Sequence, residues 1–316
     1  MKSVKSMLPL IAAMVVLLIL FRLRAPNFLS PENLIDIAQQ VSVNAILAFG
    51  MTLVIIIGGI DLSVGALLAL VGTTTVFILT EQQSETQSFA RLALAMTTGL
   101  GVAALFGAFH GVCAAKTKMP PFIITLATME IARGAALRFN ESRPITIPGS
   151  ETAFLAMGNG WLFGVVPMPV LIMLILFALT AILLHRTRFG QHVYAMGGSR
   201  EAARFTGIPL VRIEVLVYMI CSVLTGIAGM IHTAQLYSAV PSSGVGFELN
   251  AIAAAVVGGT SFTGGRGTML GTLIGAIIIG ILDKGLNQAG VHFSFQHIIK
   301  GLVILMAVYF DVRRRK

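Results

Sequence analysis

Apolar residues run through this chain in long blocks, not in the alternation of a strand or the one-sided stripe of a surface helix. The blocks fall at about 7–21, 41–59, 62–80, 91–115, 120–137, 161–184, 211–236, 249–259, 267–286 and 296–310. Several approach the roughly 20 residues with which a helix crosses the hydrocarbon core of a bilayer. They predict an all-α, polytopic membrane protein with about ten transmembrane helices in a single domain over 1–316. Two longer runs are interrupted. The run 41–80 breaks at Gly58, Gly59 and Asp61, and the run 249–286 breaks between Gly258 and Gly267. Glycine permits non-helical backbone there, which membrane depth tolerates only inside protein or beside water.

Composition agrees with the blocks. Of 316 residues, 56% are hydrophobic and 11% charged, with a mean hydropathy of +0.89. A soluble domain carries roughly 25% charged residues. A soluble enzyme, a transcription factor and a disulfide-stapled secreted protein are therefore excluded. The net charge of +9 is scattered between apolar blocks, so orientation in a membrane accounts for it and nucleic-acid binding does not. With the N-terminus inside and ten crossings, the cytoplasmic segments collect Lys2, Lys5, Lys116, Lys118, the arginines from Arg186 to Arg212, Arg266 and the tail Arg313–Lys316. The opposite side receives Glu81 and Glu85. Both chain ends are thus expected in the cytoplasm. Met1–Phe21 has the outline of a signal peptide, but no small-x-small cleavage site follows and Arg22 and Arg24 close it, which predicts a retained first helix. Cys113 and Cys221 read as small apolar packing residues.

Candidate chemistry is sparse. Asp61, in GGIDLSVG, would be costly at membrane depth unless it caps a helix, finds a partner or meets water. It is placed to cap the helix 62–80, and contact with a substrate or coupling ion stands beside that role. The second break, GGTSFTGGRGT, sets Thr260, Ser261 and Thr263 among glycines. No phosphate loop can be assembled, since the Gly-Lys-Ser/Thr core is missing. No metal spacing or Ser-His-Asp set occurs, so no cofactor and no catalytic residue is expected. Gly107-x-x-x-Gly111 and Gly271-x-x-x-Gly275 offer small faces, either for packing within the chain or for a dimer. Glu130, Arg133 and Arg138 suggest a local ion pair, and His110 and His232 hydrogen-bonded core residues. The longest cytoplasmic connection, 185–210, reads as a turn at Gly197–Ser199 followed by a short helix Glu201–Thr206, ended by Gly207 and Pro209. Residues 44–65, NAILAFGMTLVIIIGGIDLSVG, echo 250–265, NAIAAAVVGGTSFTGG, as in transporters built from duplicated halves.

SVNAILAFGMTLVIIIGGIDLSVG, GGSREAARFTGI and GFELNAIAAAVVGGTSFTGGRGTMLGTLIGA closely resemble blocks of the permease subunit of bacterial ribose-type ABC importers, in family order, over nearly the whole chain. The resemblance implies a subunit of the bacterial inner membrane that passes a monosaccharide, with no ATPase site of its own. It implies a second permease subunit, identical or paralogous, an ABC ATPase docking from the cytoplasm, and a periplasmic sugar-binding protein. The ATPase-coupling element would fall on Glu201, Ala202, Ala203 and Gly207, flanked by Arg200 and Arg204 as partners for acidic groups. The translocation pathway would involve Asn44, Gly58, Gly59, Asp61, Ser63, Asn250, Gly258, Gly259, Thr260 and Ser261. The later Ile-x-Leu-Pro of the fuller coupling pattern is missing. An ion- or proton-coupled transporter acting alone is the alternative, with Asp61, Glu130 or Asp283 as carrier.

Overall fold

The computed structural model describes residues 8–81, 89–117 and 119–313. Lys2, Lys5, Glu85, Lys118 and the tail 314–316, which entered the orientation argument, lie outside the described residues. The chain is all-α apart from two-residue strand pairs. Its helices are α1 (Leu8–Arg24), α2 (Pro31–Ile56), α3 (Val64–Glu81), α4 (Phe89–Lys116), α5 (Pro121–Arg138), α6 (Thr152–Asn159) and α7 (Met168–Arg186). There follow α8 (Arg188–Gly198), α9 (Arg200–Phe205), α10 (Leu210–Gln235), α11 (Phe247–Val257), α12 (Met269–Gln288) and α13 (Phe293–Arg313).

Six of these, α2, α3, α4, α7, α10 and α12, are long and apolar enough to cross a membrane. The other expected crossings are weaker by the same measure. α1 has 17 residues, α5 carries Glu130, Arg133 and Arg138 within its 18, and the apolar part of α13 is Phe293–Tyr309. α11 has 11 residues, about 16 Å of a roughly 30 Å core. The block 161–184 also starts differently from a helix. Trp161–Leu162 (β2) pairs with Val166–Pro167 (β3) around a turn at Phe163 and Gly164, and α7 begins only at Met168. Ile145–Thr146 (β1) pairs with Ser238–Ala239 (β4).

α2 is the axis of the bundle. Ser30 accepts a hydrogen bond from the Asn33 N–H at 3.3 Å, Pro31 opens the helix and Glu32 sits in its first turn. From Val41 to Ile56 every residue is buried except Asn44, which is half-buried. α7, α10, α11 and α12 surround it. α4 and α7 instead turn apolar faces outward, with Leu94, Leu105 and Phe109 on one and Leu174, Leu179 and Ile182 on the other.

Both small-residue faces pack within the chain. A methyl at Gly107 would stand 2.6 Å from the Met219 Cα of α10, and Gly271 and Gly275 lie against Gly258 and Ala254 of α11. Arg133 reaches past Glu130 and donates to the carbonyls of Pro241 and Ser243, both at 2.7 Å, so no ion pair with Glu130 forms. Arg91 and the buried Glu151 pair instead, pinning the start of α4 to the segment before α6. Cys113 and Cys221 are free thiols, the second fully buried.

Candidate functional site

The two helix breaks have the same geometry, one residue out of register with the sequence echo. Gly58, at φ +84°, donates to Ile55 O at 2.9 Å, and the next N–H, Gly59, donates to Val54 O at 2.9 Å. In the second break the left-handed residue is Gly259, at φ +88°, donating to Val256 O at 2.8 Å, while Thr260 donates to Ala255 O at 2.9 Å. Both are Schellman caps, so Gly58 corresponds to Gly259 and not to Gly258. The breaks touch. Gly265 N–H donates to Ile56 O at 2.8 Å, joining the second loop to the last residue of α2.

Beyond the first break, Asp61 is fully buried. Its Oδ1 accepts from the Ser63 N–H at 2.9 Å and the Ser63 hydroxyl at 2.6 Å. Ser63 itself holds the cap position, since its carbonyl receives Leu67 N–H. Asp61 Oδ2 faces His110 Nδ1 of α4 at 3.7 Å, and His110 Nε2 is 2.6 Å from Thr128 Oγ1 of α5. Thr125 of α5 accepts from Leu62 N–H and donates to Ile60 O. Asp61 thus fastens the start of α3 to α4 and α5. His110 is hydrogen-bonded in the core, as expected from sequence, but its approach to Asp61 spans 49 residues of chain and no local pattern announces it.

The connection 185–210 is more ordered than its glycines suggested. Gly197 and Gly198 are not a turn; they close α8. The reason is proximity: a side chain at Gly197 would collide with Ile56 O and approach Gly265 N at 2.6 Å. One turn earlier, Tyr194 Oη donates to Gly267 O at 2.7 Å. Burial pushes the Tyr194 hydroxyl up to about 12, so it stays a protonated donor at neutral pH. Ser199 then caps α9, accepting from Ala202 N–H at 3.2 Å. On α9, Ala203 is buried, while Glu201, Ala202, Arg204 and Phe205 are exposed, and Gly207 ends the helix at φ +79°. Arg200 is engaged within the chain: its guanidinium meets the buried Glu214 of α10 at 2.5 and 3.2 Å. Those bonds raise its pKa above the ordinary arginine value. Both arginines singled out by sequence are exposed, and Arg204 is the one with no acidic partner among the described residues.

At the opposite end of the bundle lies a cavity of about 410 Å³ between α2, α10, α11 and α12. Asn44 and Asn250 both line it. The pathway residues predicted from sequence therefore divide: these two face the cavity, while Gly58, Gly59, Asp61 and Ser63 gather with Gly258, Gly259, Thr260 and Ser261 at the α8 end, about 20 Å along α2 from Asn44. Sequence reasoning missed Gln39, Gln40, Gln235 and His232, which also line the cavity. The signal was the spacing of Asp36, Gln40 and Asn44, four residues apart on one face of a helix otherwise apolar. His232 stands edge-on to Phe247, ring centroids 5.2 Å apart, and its nitrogens hydrogen-bond no described residue, unlike the core histidine expected. Among the described residues no group of His, Cys, Asp or Glu could hold a metal.

Residues 33–308 match the family described as branched-chain amino acid transport system / permease component. The chain belongs to this permease family. It is 42% identical to the ribose import permease protein RbsC of Bacillus subtilis over 299 residues, covering 95% of this chain and 90% of that protein. It is 44% identical to the protein of the same name from Escherichia coli K12, covering 96% and 92%. The D-allose transport system permease protein AlsC of Escherichia coli K12 is 36% identical over 284 residues, 90% of this chain. No solved structure matches the permease. These relatives are all named as permease proteins, that is, transport subunits.

Proposed function

We propose that this permease carries a monosaccharide, a pentose such as ribose, across the bacterial inner membrane, driven by ATP hydrolysis on a separate ABC ATPase. The observation that carries the coupling is the double attachment of α8: Gly197 against α2's last carbonyl and Tyr194 bonded to the second break. A force on α9, continuous with α8 through Ser199, reaches both broken helices without crossing a flexible loop. Glu201, Ala202, Arg204 and Phe205 are the face offered to the ATPase, while Arg200 seats α9 on α10. The sugar class follows from the identity to ribose permeases over nearly their full length.

The same reading makes the whole chain one transmembrane domain, crossing ten times with both ends in the cytoplasm. α11 and its loop together complete one crossing. The periplasmic binding protein docks at the cavity end, and a second permease subunit completes the pathway.

Reconstitution tests this. Proteoliposomes holding the permease, its ATPase and a loaded binding protein take up D-ribose only with ATP inside. Uptake by the permease alone, driven by an ion or proton gradient, overturns the assignment in favour of a secondary transporter. Glu201→Arg, which sets a third positive charge beside Arg200 and Arg204, lowers uptake per ATP hydrolysed while the protein still inserts; unchanged uptake removes α9 from the coupling surface.

A further inference from the structure

Of the amide side chains around the cavity at the α2–α12 end, Asn159 donates to the carbonyls of Leu155 and Ala234, and the others are idle. Asn44 Oδ1 is buried there with no hydrogen-bond partner, in the one gap of α2's buried stretch. Gln39, Gln40, Gln235 and Asn250, on three helices, make no side-chain hydrogen bond to any described residue. A polar atom left unpaired in a buried site carries a desolvation cost of about 1–3 kcal/mol, which a ligand can relieve.

The charged lining is, by contrast, spoken for. Lys284 pairs with Asp36 at 3.2 Å and Asp283 with Lys300 at 2.9 Å. Besides these paired charges, the cavity is faced by neutral amides that each donate and accept. That chemistry matches hydroxyls, which also do both, and mismatches a zwitterion, whose carboxylate and ammonium need fixed opposite charges. Phe247, braced edge-on by His232, adds one apolar plate among the amides. The volume lies within the usual range for small-molecule sites.

We propose that this cavity is a binding subsite for a neutral polyhydroxylated ligand, with Gln40, Asn44 and Asn250 as its hydrogen-bonding residues and Phe247 as its apolar wall. It rests on the importer reading above and adds the place in the fold and the residues that meet the sugar. The subsite holds the sugar between release from the binding protein and passage inward. Because each amide contact is modest, retention is weak, as passage requires.

The test uses the reconstituted complex with ATPase and loaded binding protein. Gln40→Leu combined with Asn250→Leu lowers D-ribose uptake at least about tenfold, the loss of two hydrogen bonds. ATP hydrolysis stimulated by the loaded binding protein stays within about twofold of the parent, a readout that a folding defect would not spare. Uptake equal to the parent overturns the subsite, as does comparable uptake of L-leucine from its own loaded binding protein. No ATP-dependent uptake by the parent complex sinks the importer reading instead. If the double variant fails to assemble, Gln40→Ala at its exposed position carries the test: unchanged uptake overturns the proposal, and a several-fold loss with normal stimulation supports it.

Discussion

Asp61 answers to two neighbours at once: Ser63, from whose N–H and hydroxyl it accepts, and His110, toward which its second oxygen points. Removing the Asp61 carboxylate leaves the Ser63 N–H and hydroxyl without their buried acceptor, at about 1–3 kcal/mol for each unsatisfied group. Asp61→Ala is therefore expected to destabilise the purified protein by about 3 kcal/mol, read from its unfolding midpoint in mixed detergent. Asp61→Asn keeps an acceptor for Ser63 and should lose less than half as much. Equal losses would show that the charge, not the cap, is what the site uses. Of this cluster, sequence alone showed the acid at the break; the cap position expected of it belongs to Ser63, which Asp61 holds from behind. His110 and Thr128 come from helices whose order in space is set by packing, and two of three partners were therefore invisible.

At the level of elements, α8 was the largest surprise. Gly197 and Gly198 carry the composition of a turn, and local propensity favours that reading. Tertiary packing overrides it, because only a residue without a side chain lets α8 lie against Ile56 O and Gly265 N. The two breaks, by contrast, were legible from their glycines, although the hydrogen bonds set their correspondence one residue away from the sequence match. The long blocks were legible too, except where 161–167 forms a hairpin and α11 stops short. Gly197→Ala is expected to insert and bind ATPase yet transport at least several-fold less per ATP hydrolysed, since α8 must lift from both breaks. Tyr194→Phe, which removes one bond worth about 1 kcal/mol, should act in the same direction more weakly. A normal transport-to-hydrolysis ratio in both would detach α8 from the transmission.

Across the whole molecule, α2 and α12 connect the two functional ends. They are joined near the breaks by Thr52 and Thr272, with hydroxyls 2.7 Å apart, and at the cavity end by Lys284 with Asp36 and Gln288 with Asn33. The cavity and the breaks are thus opposite ends of one rigid pair. Cysteines at positions 36 and 284, in a Cys113→Ser background and bridged by a short bis-maleimide, should leave ATP-driven uptake unchanged, because the two helices travel as one body. Loss of uptake in the bridged protein would mean that α2 and α12 separate during transport. Asn44 and Asn250 were legible in the echoed blocks, whereas Gln39, Gln40 and Gln235 escaped because they belong to two segments with no shared motif. Only folding brings them to one wall.

The buried cluster at the first break bears on how this protein is made. Asp61 precedes α3, His110 rides on α4 and Thr128 on α5. Asp61, His110 and Thr128 meet only when all three helices are together, so a helix that left the insertion machinery alone would carry its polar group into lipid without a neighbour. The contact that pins the mature bundle therefore predicts an order of assembly, in which α3 stays beside the insertion machinery until α5 has emerged.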